Sequence, residues 1–201
     1  MYVVINRYAG AANRTDAALP KVRAEFVPLL QGCDGFLGYA TFPTEEGDVI
    51  ACLFWEHGEA AASSRDKIRG WVRDNLEGFE EPTDRFAGTS VLHAVVAPQS
   101  RGTEQPFFCL VRTSIGIPTD GSQRLNAEEM RDAAKAMPGF RGMYFARSDA
   151  DPIRGAAVLF CDTEEQAIAV HKATQAISAR NQPKVELCVV AAGQTTIVAI
   201  S

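Results

Sequence analysis

The feature that most constrains this chain is that it resembles itself. Gly35-Phe36-Leu37-Gly38 returns as Gly139-Phe140-Arg141-Gly142, 104 positions on. Leu53-Phe54 returns as Leu159-Phe160 and Asn75 as Asn181, 106 positions on. Arg7 and Arg112, Gly88 and Gly193, and Ala94 and Ala199 are spaced by 105. Each match is weak alone, but a near-constant offset along the whole chain is hard to produce by chance. The 201 residues then read as two copies of a unit of about 100 residues, an ordinary domain size. Two long copies do not make a solenoid.

Both copies give the same order of elements. In the first, Tyr2–Tyr8 is β-branched and aromatic and reads as a strand. Residues 16–31 place Leu19, Val22, Phe26, Leu29 and Leu30 at helical spacing, with a kink or break expected at Pro28. Phe36–Phe42 and Val49–Glu56 form a hairpin, residues 58–76 a second helix, and Thr89–Ala97 a closing strand. In the second, Phe107–Thr113 is a strand, and Asn126 with Glu129 resembles a capping box opening a helix. Arg141–Arg147 and Ala156–Cys161 form the hairpin, and Thr163 with Gln166 caps another helix. Val185–Ala191 and Thr195–Ile200 close the unit, bent at Gly193. The expected fold class is therefore α+β: two tandem ferredoxin-like β-α-β-β-α-β units, residues 1–97 and 106–201, joined by a polar linker at 98–105. Helices cover only one face of such a sheet, so the two bare faces are expected to pack together within one chain.

Composition narrows the partners. Twenty Lys and Arg against 25 Asp and Glu give a net charge of −5, so there is no basic footprint for nucleic acid. No apolar run approaches a membrane span, and no signal peptide is visible at Tyr2, so a cytoplasmic protein is expected. The five cysteines, at 33, 52, 109, 161 and 188, form no CxxC pair, and three sit in apolar runs. They read as reduced core residues, not as a disulfide framework or a zinc site. No phosphate loop, nucleophile elbow, zinc-protease motif or metal-ligand spacing is present.

Ile5-Asn6-Arg7 on the first strand, Gly35-Phe36-Leu37-Gly38 before the second, and Leu53-Phe54-Trp55-Glu56 running into the second helix resemble the dimeric α+β barrel superfamily. They look most like its antibiotic-biosynthesis-monooxygenase-like (ABM) group, which includes haem-degrading members. The resemblance implies an intramolecular dimeric α+β barrel with a pocket between the sheet and helices of each unit. It also implies oxidation by O₂ of a small apolar or aromatic metabolite, in several members without metal or flavin, so no cofactor is expected. Haem-degrading members use an asparagine on the first strand and a tryptophan and a histidine on the second helix. Asn6 matches the first, but Ser64 and Asp74 stand at the other two positions. Haem degradation is therefore not expected.

Asn6, His93 and His57 are the candidate catalytic residues. Asn6 breaks an apolar strand and could orient a substrate oxyanion or O₂, or be satisfied by backbone. His93 lies mid-strand between Val91 and Val95, and could be a base or a hydrogen-bonded core residue. His57 precedes a helix, where it could be a base or a cap. Tyr39, Trp55, Phe36, Trp71 and Tyr144 could line a pocket for a flat ligand or simply fill the core. Arg7 and Arg112 are read as equivalent, forming ion pairs at a barrel rim or an anion site. On that offset Val111 replaces Asn6 and Val198 replaces His93. Any site is then expected in the first unit, near Asn6, Tyr39 and His93. The expected function is cofactor-independent oxidation by a monomeric pseudo-dimer, with its further pairing into a homodimer left open. The alternative is a non-catalytic ligand-binding or structural barrel.

Overall fold

A computed structural model of the chain describes residues 1–96, 106–150 and 152–200. The expected linker at 98–105 lies outside the described residues. The chain divides into two units, the first made of Met1–Thr89 with Thr195–Ser201 and the second of Ser90–Gln194.

Unit 1 begins with β1 (Tyr2–Tyr8), followed by a helical run from Ala12 to Gln31. That run contains a 3₁₀ turn (Ala12–Arg14), α1 (Thr15–Lys21), a π turn (Val22–Phe26) and α2 (Val27–Gln31). The run is not broken at Pro28. The π turn lies immediately before it, and Pro28 then sits in the first turn of α2, where its missing N–H costs little. Strands β2 (Phe36–Pro43) and β3 (Val49–Trp55), helix α3 (Gly58–Asn75) and β4 (Asp84–Val95) follow. The sheet of unit 1 runs β4-β1-β3-β2-β9, with β9 (Ile197–Ile200) on the edge of β2. Val4, Tyr39, Leu53 and Trp55 on one face pack with Phe26, Leu30, Ala60 and Val72 from the helices.

Unit 2 contains β5 (Phe108–Ile115), α4 (Ser122–Lys135), β6 (Phe140–Ser148), β7 (Arg154–Cys161), α5 (Glu164–Asn181) and β8 (Glu186–Gln194). Its sheet runs β8-β5-β7-β6, with the second half of β4 beside β6. Leu110, Met143 and Leu159 of the sheet pack with Ala134 and Val170 of α4 and α5.

The closing strands differ from the expectation. β4 is 12 residues long, pairing with β1 through Thr89 and belonging to unit 2 from Ser90 onward. The last stretch divides at Thr195 and Thr196, not by a bend at Gly193, and β9 returns to unit 1. The repeated glycines explain themselves here. Gly35 and Gly139 turn at φ +70 and +73, and a Cβ on Gly35 would come within 2.8 Å of Ala60 Cβ. Gly38 and Gly142 sit where a neighbouring strand comes close: a Cβ would lie 3.3 Å from the Ala199 carbonyl oxygen and 3.6 Å from that of Ala94.

Helix caps are partly as read. The Thr163–Gln166 capping box is present at α5. Helix α4 starts earlier than expected, at Ser122, so Asn126 is not a cap but a buried residue within the helix. Cys52, Cys109 and Cys161 are buried, Cys188 is exposed, and none of the five cysteines is in a disulfide. No described helix is long and apolar enough to cross a membrane.

Candidate functional site

Strand alternation puts Val4, Asn6 and Tyr8 of β1 on the face that the helices cover. Asn6 sits where two hollows meet. The inner one is a cavity of about 60 Å³ whose polar lining includes Tyr8, Thr15, Tyr39 and Thr41 amid Val22, Phe26 and other apolar side chains. The outer one, about 240 Å³, shares Asn6, Tyr8, Leu53, Ile68 and Val72 with it. Its remaining lining includes Arg65, Arg69, Arg85, Glu80 and Glu81.

Two polar atoms in this place are buried without a partner, Asn6 Oδ1 and Thr15 Oγ1. An acceptor left unmatched costs stability, so a ligand that fills it gains what folding gave up. The tyrosines cannot be bases at neutral pH. Burial pushes the Tyr8 hydroxyl up to about 12, only partly offset by the Asn6 amide. Burial also raises Tyr39, against the opposing bond from Thr41. Both stay protonated and can donate a hydrogen bond. Thr41 is anchored by its bond to the Ile50 carbonyl at 2.9 Å. Arg85 faces Asn6 across the β1–β4 ladder, and burial lowers its pKa.

The structure brings Asn6 and Tyr39 together and leaves the histidines elsewhere. His93 lies on the part of β4 that belongs to unit 2, exposed and stacked on Tyr144 at 6.2 Å. The expected trio of Asn6, Tyr39 and His93 is therefore not assembled. His57 caps α3, its Nδ1 accepting from the Ala60 N–H at 3.2 Å, and it lines neither hollow of unit 1. Trp55 is fully buried against Phe36 edge to face, and borders only the outer hollow. Phe36 is core, and Trp71 stacks on Phe26 at 4.9 Å without lining either hollow. Tyr8 and Thr15 were missed. Strand alternation from Asn6 points to Tyr8, but no sequence signal marks Thr15.

Arg112 is also not where the repeat offset put it. Val4 pairs with Leu53 and Leu110 pairs with Leu159, so the strands correspond at 106, not 105. Asn6 pairs with Ala51 and Arg112 with Ala157. Arg112 therefore stands at the place of Asn6, and Val111 does not. A slip of one residue moves a side chain to the other face of a sheet. Arg7, on that other face, bonds Asp48 at 2.5 Å. Arg112 is 7% exposed, and among the described residues its Nη atoms meet only Thr174 Oγ1 at 3.3 Å and Met130 Sδ at 3.4 Å. Burial alone pushes its pKa down to about 10, so it stays charged. It borders a cavity of about 140 Å³ in unit 2.

No protein-family model matches the sequence, and no curated protein matches it either. Solved structures do match along nearly its whole length. A candidate monooxygenase from Fusobacterium nucleatum aligns with a TM-score of 0.73 at 8% identity, covering 100% of this chain and 94% of its own. One from Lactobacillus acidophilus NCFM aligns at 0.70 and 10% identity, covering 99% and 95%. An anthrone oxidase-like protein aligns at 0.64 and 13% identity, covering 99% and 92%. The chain shares the mixed α+β fold of these structures. At these identities the neighbours establish the fold alone, and the chemistry must come from the residues.

Proposed function

We propose that unit 1 is the catalytic half of a monooxygenase-like enzyme that oxidises a small apolar or aromatic metabolite with O₂ and no bound cofactor. The observation that carries this reading is the unpartnered Asn6 Oδ1 at the junction of an apolar cavity and a charged cleft. A substrate with an aromatic body and one hydroxyl, or a ketone in its enol form, would place its rings against Val22 and Phe26. Its hydroxyl would donate to the unpartnered Asn6 Oδ1, and the Tyr8 and Tyr39 hydroxyls would donate to the same substrate oxygen. Such donors stabilise the negative charge left on the substrate oxygen when the substrate releases a proton to solvent through the charged cleft, and the electron-rich form then reacts with O₂. The names of the fold neighbours, candidate monooxygenases and an anthrone oxidase-like protein, support this choice of chemistry. Anthrone is accordingly the first substrate to try; anthrone and O₂ give the quinone and water. The proposal includes a tandem duplication, and it rests there on the repeated motifs.

The test follows O₂ uptake by the full chain with anthrone and with simple quinols. The wild-type protein should consume O₂ in step with quinone formation. Asn6→Ala should lower the rate by about tenfold, because it removes the acceptor that holds the substrate hydroxyl in place. If no O₂ is consumed while the same compounds bind saturably, unit 1 is a ligand-binding pocket instead.

A further inference from the structure

We propose that unit 2 holds a second site, a receptor for a small monocarboxylate with an apolar body, in which Arg112 grips the carboxylate. A buried guanidinium without a counter-ion is costly to fold around and calls for an explanation. Its fork offers five N–H donors, yet among the described residues it meets only a hydroxyl and a thioether. Among the described residues, no carboxylate contacts Arg112, and none lines the cavity it borders. That lining instead includes a second arginine, Arg147.

A second orphan points the same way. Gln182 Oε1 accepts from Asn126 Nδ2 at 3.0 Å, which fixes the amide and leaves Gln182 Nε2 buried with no acceptor. Gln182 is 8% exposed and lines the same cavity. Two buried donors, one charged, thus border one cavity that contains no anion of the protein's own. The planar fork suits the two oxygens of a carboxylate. Arg112 is the buried cation of that lining, Arg147 being only half-buried, and one buried charge favours a carboxylate over a doubly charged phosphate. The rest of the wall is largely apolar, with Phe145, Ala156 and Ala157 among it, and would take a compact hydrocarbon or aromatic body. This site is independent of the reading given to unit 1.

Calorimetric titration of the full chain with benzoate and with hexanoate tests it, with benzamide as the neutral isostere and inorganic phosphate as an anion lacking an apolar body. At least one carboxylate should bind saturably, one per chain, with benzamide or phosphate at least about tenfold weaker. Arg112→Met should weaken the carboxylate by at least about 30-fold, and Gln182→Ala by a few-fold. The proposal falls if neither carboxylate binds, if benzamide or phosphate binds as well, or if Arg112→Met binds as wild type does. Should Arg112→Met fail to fold, the Arg112 Nε–H resonance of the wild-type protein decides: benzoate must shift it, and an unmoved resonance overturns the site. Calorimetry needs no turnover, so a failed oxygenase assay leaves this result standing.

Discussion

Asn6 and Arg112 occupy one register position in two sheets, and their surroundings have diverged around them. Both sit mid-strand on the helix-covered face, and both pair across to an alanine of the next strand, Ala51 and Ala157. In unit 1 the residue is a neutral amide among tyrosine and threonine hydroxyls. In unit 2 it is a cation among neutral amides and small apolar side chains. The difference teaches that the strand supplies a fixed, dry address, while the residue placed there sets the charge of what can be received. A neutral amide suits a substrate that becomes negative only during reaction, and a permanent cation suits one that arrives negative.

The comparison can be broken most severely through the core that frames each pocket. Trp55 pairs with Phe36, and Cys161 pairs with Phe140 at the corresponding place in unit 2. Trp55→Ala should destabilise the chain by about 3–5 kcal/mol in denaturant titration, and Cys161→Ala by about 1 kcal/mol. Equal losses would mean that Trp55 does not carry the packing of unit 1.

The next largest effect should run the other way. Ligand-free Arg112→Met should raise stability by about 1–4 kcal/mol, because an unpaired buried charge gives way to a fitting apolar chain. Asn6→Leu should shift stability by about 1 kcal/mol or less. A destabilised Arg112→Met would show that Thr174 and Met130 satisfy the guanidinium after all.

The smallest effect concerns acid. The bond from the Gly10 N–H, then Arg7, holds the Asp48 carboxyl below its ordinary 3.8. A depressed carboxylate contributes stability that is present above the unfolded value and lost as pH falls through the folded one. Asp48→Asn should therefore cost less than about 1 kcal/mol at pH 7, since Arg7 is partly exposed. That cost should shrink below pH 4. Thermal melts across pH 2–7 check it, and Arg112→Met should show no change in slope over that acid range.

Much of this was legible beforehand, for local reasons. The order of helices and strands follows from periodicity, and Thr163 and His57 sit at helix starts where short-range capping decides. Asn6 was legible because a lone amide in an apolar strand must face something polar. Arg112 was visible as a residue but assigned to the wrong face, because a repeat offset good to one position is not good enough for a strand. Its lack of an acid partner depends on what α4 and α5 bring near, which no local pattern encodes. His93 was misplaced because β4 leaves one unit for the other midway, and Asn126 because its real partner, Gln182, is far away in sequence.

The return of β9 to the edge of β2 means that this protein cannot be halved where its sequence repeats. A fragment ending near residue 97 would keep the motifs of the first copy yet lack the strand that pairs with Gly38, Tyr39, Ala40 and Thr41. Its β2 edge would then present open backbone groups beside apolar side chains, a template for sticking to other chains. The gene's natural seam and the protein's physical seam lie in different places. A dissection or circular permutation that respects the second would have to carry the last seven residues along with the first 89.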